Sequence, residues 1–170
     1  MVKITPFRKI PICTMLTVTI VIIFALYTTS ALKTLPCDKD LLSVFYGNFV
    51  HIDFSHLMMN VLALYALSRV EVDIGPKKFG ALIIFLLIFT CTLEVIVHKV
   101  WETVPCTIGF SGILFGVAAW EIVVNNEVNL AMILTIILMV IVPSIKNEKT
   151  SLIGHMVGSG AGIVAGLLAK

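Results

Sequence analysis

Six stretches of this chain, at approximately 12–32, 55–71, 79–98, 110–125, 128–145 and 151–169, carry almost no charge. At about 1.5 Å of rise per residue, helices of such lengths suit a hydrocarbon layer about 30 Å thick. The 170 residues are 59% hydrophobic and 13% charged, with a mean hydropathy of +1.07. That composition cannot stay hydrated as a disordered coil, and it lies far from the soluble average of roughly a quarter charged. The expected fold is an all-α membrane protein, a bundle of six transmembrane helices forming a single domain over residues 1–170. The fourth stretch is the short one. It begins at Phe110 directly after Gly109, so it is expected to start below the membrane surface, inside a wet cavity where irregular backbone is tolerated. The connections are brief apart from 33–54. There Leu41, Leu42, Val44 and Phe45, among Asp40, Tyr46 and Asn48, read as a short helical insert lying in the interface.

Charge sets the expected orientation. Lys3, Arg8 and Lys9 precede the first stretch, and Arg69, Lys77 and Lys78 follow the second. The positive-inside rule then puts both termini in the cytoplasm, with Lys33, Lys39, Lys99, Lys146 and Lys149 outside. The protein is expected to be multi-pass, in a membrane that the sequence does not name. The first stretch exceeds the apolar core of a cleaved signal peptide, about 7–15 residues, and reads as a retained anchor. A formal charge of +2 without basic runs gives no sign of nucleic acid.

Ionisable side chains inside a bilayer cost about 2.5–3.5 kcal/mol at mid-depth, so each needs a reason. His56, Asn60, Ser111 and His155 all fall near the starts of the second, fourth and sixth stretches, which enter from the same face. Four polar groups from three helices therefore share one depth. On the sixth stretch Gly158, Gly162 and Gly166 recur every four residues, a small-residue seam that lets a second backbone come close. His155 lies on that stripe. Gly112 and Gly116 of the fourth stretch form a matching small pair, so packing the two faces brings Ser111 to His155 and lays Phe115 against the imidazole.

A hydroxyl needs a base within reach to act as a nucleophile, and histidine, titrating near 6.5, suits that task. Acyl transfer also places negative charge on the former carbonyl oxygen, which fixed donors must stabilise. His56 and Asn60, one turn apart, are candidate oxyanion donors. The Ser111 backbone N–H, at a helix start, is a third.

Gly109-Phe110-Ser111-Gly112, His155 with Gly158, and His51 followed by His56-x-x-x-Asn60 resemble the rhomboid intramembrane serine proteases over nearly the whole chain. The resemblance implies a six-helix rhomboid-like core with Ser111 as nucleophile and His155 as general base of a dyad that needs no acid. It places the oxyanion side chains at His56 and Asn60, and makes His51, Gly109, Gly112, Phe115 and Gly158 structural neighbours of the site. Glu71 and Gly75 resemble a Glu-x-x-x-Gly element that ties down the cytoplasmic turn. Phe115 stands where many members have tyrosine, and the 33–54 loop lacks the family's common tryptophan-arginine pair. The implied partners are single-pass transmembrane substrate proteins and the lipid bilayer, cut near the outer face, with no cofactor and no metal.

Other classes predict other features. A non-proteolytic relative that binds membrane clients for trafficking or quality control typically lacks the serine or the histidine. A metalloenzyme would draw on His51, His56, His155 and Glu94, but His-Glu-x-x-His is absent, as is the Gly-x-Gly-Asp of aspartyl intramembrane proteases. A carrier would show an inverted repeat of broken helices. Glu94 and His98 are expected to pair or to face loop water, and Glu121 to snorkel at the cytoplasmic end. Cys37 and Cys106 fall in outward loops, where a disulfide is conceivable if that side is oxidising, but nothing in the sequence fixes their separation.

Overall fold

Pro11 and Pro76 each open a helix at the position where the absent N–H has no intrahelical partner to lose. Those helices belong to a computed structural model that describes residues 9–32, 40–101, 106–126, 129–146 and 151–170. Among the described residues the order is α1 (Pro11–Thr28), α2 (Leu41–Gly47), α3 (Phe54–Ile74), α4 (Pro76–Val100), α5 (Ser111–Asn125), α6 (Leu130–Lys146) and α7 (Leu152–Ala169), with no strand.

Local chemistry explains the other starts. Asp40 caps α2, its Oδ1 accepting from the Leu42 and Ser43 amides at 2.8 and 2.9 Å. The bonds from Ser43, backbone first, hold this exposed carboxyl below its usual range. Asp53 caps α3 by accepting from the His56 amide at 2.7 Å, and Ser151 caps α7. Between α3 and α4 the chain turns at Gly75, whose φ of +83° favours glycine.

Three helices, α1, α4 and α7, are long and apolar enough to cross a membrane, and α5 and the central part of α6 are apolar but shorter. This is a coarser result than six full spans. The physical reason differs between the remaining elements: α3 has the length, but His56, Asn60, Arg69, Glu71 and Asp73 interrupt its apolar run, while α5 has only 15 residues. The surface suits lipid. Met15, Val18 and Ile22 of α1, Ile84, Ile88 and Ile96 of α4, and Leu167 and Leu168 of α7 are exposed, and water would not tolerate so much apolar area. The short helix expected in the 33–54 connection is α2, with Leu41, Leu42, Phe45 and Tyr46 exposed and Val44 and Gly47 turned inward.

The core forms around α5, whose Ile113, Leu114, Val117, Ala119, Trp120 and Val123 are buried. Its closest neighbour is α7, across the glycine seam. A Cβ on Gly158 would lie 1.9 Å from the Gly112 carbonyl oxygen, and one on Gly162 would lie 2.0 Å from that of Gly116. Neither separation is possible for real atoms, so the two backbones touch with nothing between them.

At the opposite end charge takes over. The Glu71 carboxylate, fully buried, accepts from the Ile12 and Cys13 amides at 2.8 Å each, two of the donors that the first turn of α1 leaves unpaired. The Gly75 amide donates to the Glu71 carbonyl at 2.9 Å. Glu121 does not snorkel alone: Arg69 grips it through Nε and Nη2, both at 2.9 Å, joining α3 to α5. Cys106 is disulfide-bonded, whereas Cys13 and Cys91 are buried thiols; Cys37 lies outside the described residues, as do Lys3, Arg8, Lys33, Lys39 and Lys149.

Candidate active site

The residues just before α5 reach α2, α3 and α7. The Gly109 amide donates to the Gly47 carbonyl at the end of α2, at 2.9 Å. At Gly109 φ is +101°, and a Cβ would lie 2.5 Å from Cε1 and 2.6 Å from Nε2 of His56. Glycine is needed there twice over: the backbone bends into the left-handed region, and the His56 ring lies directly on the Cα. Phe110 is fully buried and meets the Phe49 ring with centroids 5.6 Å apart. Ser111 follows as the first residue of α5. Its amide lies among those a helix start leaves without an intrahelical acceptor, at the positive end of the helix dipole.

His155 sits one turn into α7, its amide donating to the Ser151 carbonyl at 3.1 Å. Its ring is buried, its Nε2 stands 3.1 Å from Ser111 Oγ, and its centroid is 4.0 Å from that of Phe115 at 31°. The glycine seam produces this meeting. With no side chain between Gly112 and Gly158, the helices are near enough for a short hydroxymethyl group to reach an imidazole. Stacking on Phe115 then fixes the plane of the ring.

His51, His56 and Asn60 gather on the α3 side. The rings of His51 and His56 have centroids 5.0 Å apart at 59°, and Asn60 Nδ2 donates to the His56 carbonyl at 2.9 Å. Asn60 Oδ1 is buried with no hydrogen-bond partner among the described residues. Desolvation, and next the neighbouring His56, push the His51 imidazole down to about 4, so it is neutral at ordinary pH and adds no cation beside the site. Ser111, Phe115, His155, His51, His56 and Asn60 thus gather at one end of the bundle, away from Glu71 and Glu121.

Two features differ from expectation or were not anticipated. Glu94 and His98 do not face loop water: they are 1% and 3% exposed, and neither carboxyl oxygen of Glu94 completes a hydrogen bond among the described residues. Thr107 and Ser151 carry a hydroxyl contact at 3.3 Å that no spacing in the sequence signals. Among the described residues no three His, Cys, Asp or Glu side chains converge as a metal site would require.

The sequence pattern of the Rhomboid domain matches residues 38–170, which take in α2 through α7. The chain belongs to the rhomboid family. It is also similar to a protein of Acanthamoeba polyphaga mimivirus whose given name calls it a rhomboid protein, at 26% identity over 146 residues that cover 85% of each chain. Family membership and the three apolar candidate spans make this an integral membrane protein with an intramembrane-protease-like fold.

Proposed function

We propose that this protein is an intramembrane serine protease that cleaves single-pass transmembrane substrates near the outer face. In this reading residues 1–170 form a single rhomboid-like membrane domain. Helices α1, α3, α4, α5, α6 and α7 are its six spans, and both termini are cytoplasmic. The observation that carries the reading is the 3.1 Å separation of Ser111 Oγ and His155 Nε2, within reach for proton transfer. The disulfide at Cys106 supports the orientation, since such bonds persist on the oxidising side of a membrane.

Ser111 is the nucleophile and His155 the general base. The Ser111 proton passes to Nε2 as Oγ bonds to the substrate carbonyl carbon. His56, Asn60 and the Ser111 amide stabilise the oxyanion, with the second N–H of Asn60 Nδ2 available after its bond to the His56 carbonyl. Collapse of the intermediate breaks the C–N bond, and His155 returns its proton to the leaving amine. Water then attacks the Ser111 ester, giving its proton to His155; the bond from the acyl carbon to Oγ breaks, the new C-terminal carboxyl leaves, and His155 returns the proton to Ser111 Oγ. A substrate helix rich in Gly, Ser or Pro unwinds readily enough to present its peptide bond.

The test is labelling of the detergent-solubilised protein with a fluorophosphonate reagent and mapping of the modified residue, together with cleavage of a transmembrane substrate. Modification at Ser111 is expected. Ser111→Ala and His155→Ala should each lower cleavage by at least about a thousandfold while leaving the protein folded. A fully active Ser111→Ala protein overturns the reading. A substrate that is bound and never cut would point to a client-binding relative instead.

A further inference from the structure

Two hydroxyls lie in register with the Ser111–His155 pair. Thr107 stands four residues before Ser111 and Ser151 four before His155, so the Thr107–Ser151 contact and the Ser111–His155 contact each join residues 44 apart. They form successive rungs between the chain entering α5 and the chain entering α7. The Thr107–Ser151 rung is part-buried: Thr107 is 7% exposed, and its Cγ2 lies 2.5 Å from where a Cβ on Gly154 would be.

Hydrogen bonding ties this rung to the first turn of α7. The Gly154 amide donates to Ser151 Oγ at 3.0 Å, leaving the Ser151 hydrogen to be given elsewhere. Thr107 Oγ1 stands 3.3 Å from Ser151 Oγ, and either hydroxyl can donate across that contact. Behind Thr107 lies the buried Glu94 of α4, which interacts with the Thr107 side chain. The Gly154 amide, Ser151, Thr107 and Glu94 thus form one polar group that links the start of α7, the loop ahead of α5 and α4.

We propose that the Thr107–Ser151 contact is a positioning element that sets the separation of Ser111 Oγ and His155 Nε2. Thr107 and Ser151 hold the loop ahead of α5 and the cap of α7 at one depth, with Glu94 orienting the Thr107 hydroxyl from behind. Neither touches the reacting atoms. They act through Ser111 and His155, so the inference rests on the chemistry proposed above. Such control matters because a displacement of about 1 Å in a reacting pair can cost on the order of a hundredfold in rate.

The test uses the full chain in mild detergent and reads the fluorophosphonate labelling rate at Ser111, kcat and KM on a transmembrane substrate, and the thermal unfolding midpoint. Thr107→Val deletes the hydroxyl and keeps the shape. It is expected to slow labelling and kcat about tenfold, with KM within about twofold and the midpoint close to wild type. Thr107→Ser keeps the hydroxyl and should restore the rate; if Thr107→Val fails to fold, Thr107→Ser and Ser151→Ala decide. Ser151→Ala added to Thr107→Val should slow the reaction no further than the slower single variant. Undiminished labelling of Thr107→Val, a slow Thr107→Ser, an undiminished Ser151→Ala, or multiplicative losses in the double variant would each overturn the proposal. Wild-type protein that is never labelled at Ser111 removes the proposed function as well, whereas labelled wild type with an equally fast Thr107→Val removes this inference alone.

Discussion

The two ends of the bundle are joined by opposite means. Between α5 and α7 the joint is the absence of side chains, with Gly158 and Gly162 set against the carbonyls of Gly112 and Gly116. Between α1 and α3 it is one side chain, the Glu71 carboxylate, reaching back to two amides 58 and 59 residues earlier in the chain. The first joint is steric. It owes nothing to charge and leaves no slack, which suits a place where an oxygen and a nitrogen must meet. The second is electrostatic and local, fastening a helix whose remaining surface is largely given over to lipid.

The comparison breaks most sharply at Gly158. Gly158→Ala would force α5 and α7 apart, because the backbone carbonyl at 1.9 Å cannot yield as a side chain does. The expected loss exceeds the roughly 1–3 kcal/mol of ordinary overpacking, read as collapse of the unfolding midpoint and of folded yield in detergent. Gly160→Ala on the same helix is the control. Nothing lies within 4 Å of a Cβ there, and the midpoint should hold or rise, since alanine favours helix over glycine by about 0.5–1 kcal/mol.

Glu71→Ala tests the other joint. Removing the acceptor of one buried and one part-buried amide should cost on the order of 2 kcal/mol, and Glu71→Gln, which keeps one acceptor but sets an NH2 donor against the other amide N–H, should recover at most part of that loss. Proteolytic nicking near residue 28 should accelerate in step, while labelling at Ser111 changes little. Labelling at Ser111 as sensitive to Glu71→Ala as to Gly158→Ala would erase the distinction between the two ends. Arg69→Ala should do least. Its side chain is 67% exposed, so loss of the bidentate bond to Glu121 should cost under about 1 kcal/mol and less again at high salt.

What could be foreseen from the sequence follows periodicity. Glycines every fourth residue specify a seam, and any residue one turn from that seam must point along it. Hence the approach of His155 to Ser111 and its stacking on Phe115 were legible before any coordinates. The α2 insert was legible too, because its apolar residues stand among polar ones in an otherwise hydrophilic connection. Periodicity names the face of a helix but not its depth or its neighbour. Glu94 and His98 therefore read as near-surface residues, although both are buried. The reach of Glu71 to the start of α1, the grip of Arg69 on Glu121 and the Thr107–Ser151 rung are long-range contacts of single residues, and no local repeat announces them. The number of full spans was harder still, since α3 and α5 trade apolar length for the polar groups and close approach that the site requires.

The glycine seam also bears on how the molecule meets heat. A joint lined by side chains can loosen by degrees, each group hopping between conformers while the helices stay together. Carbonyl against α-carbon offers no such intermediate: α5 and α7 are either in register or parted. Ser111 and His155 should therefore keep their distance almost unchanged on warming and lose it in one abrupt step, at the temperature where the pair of helices separates.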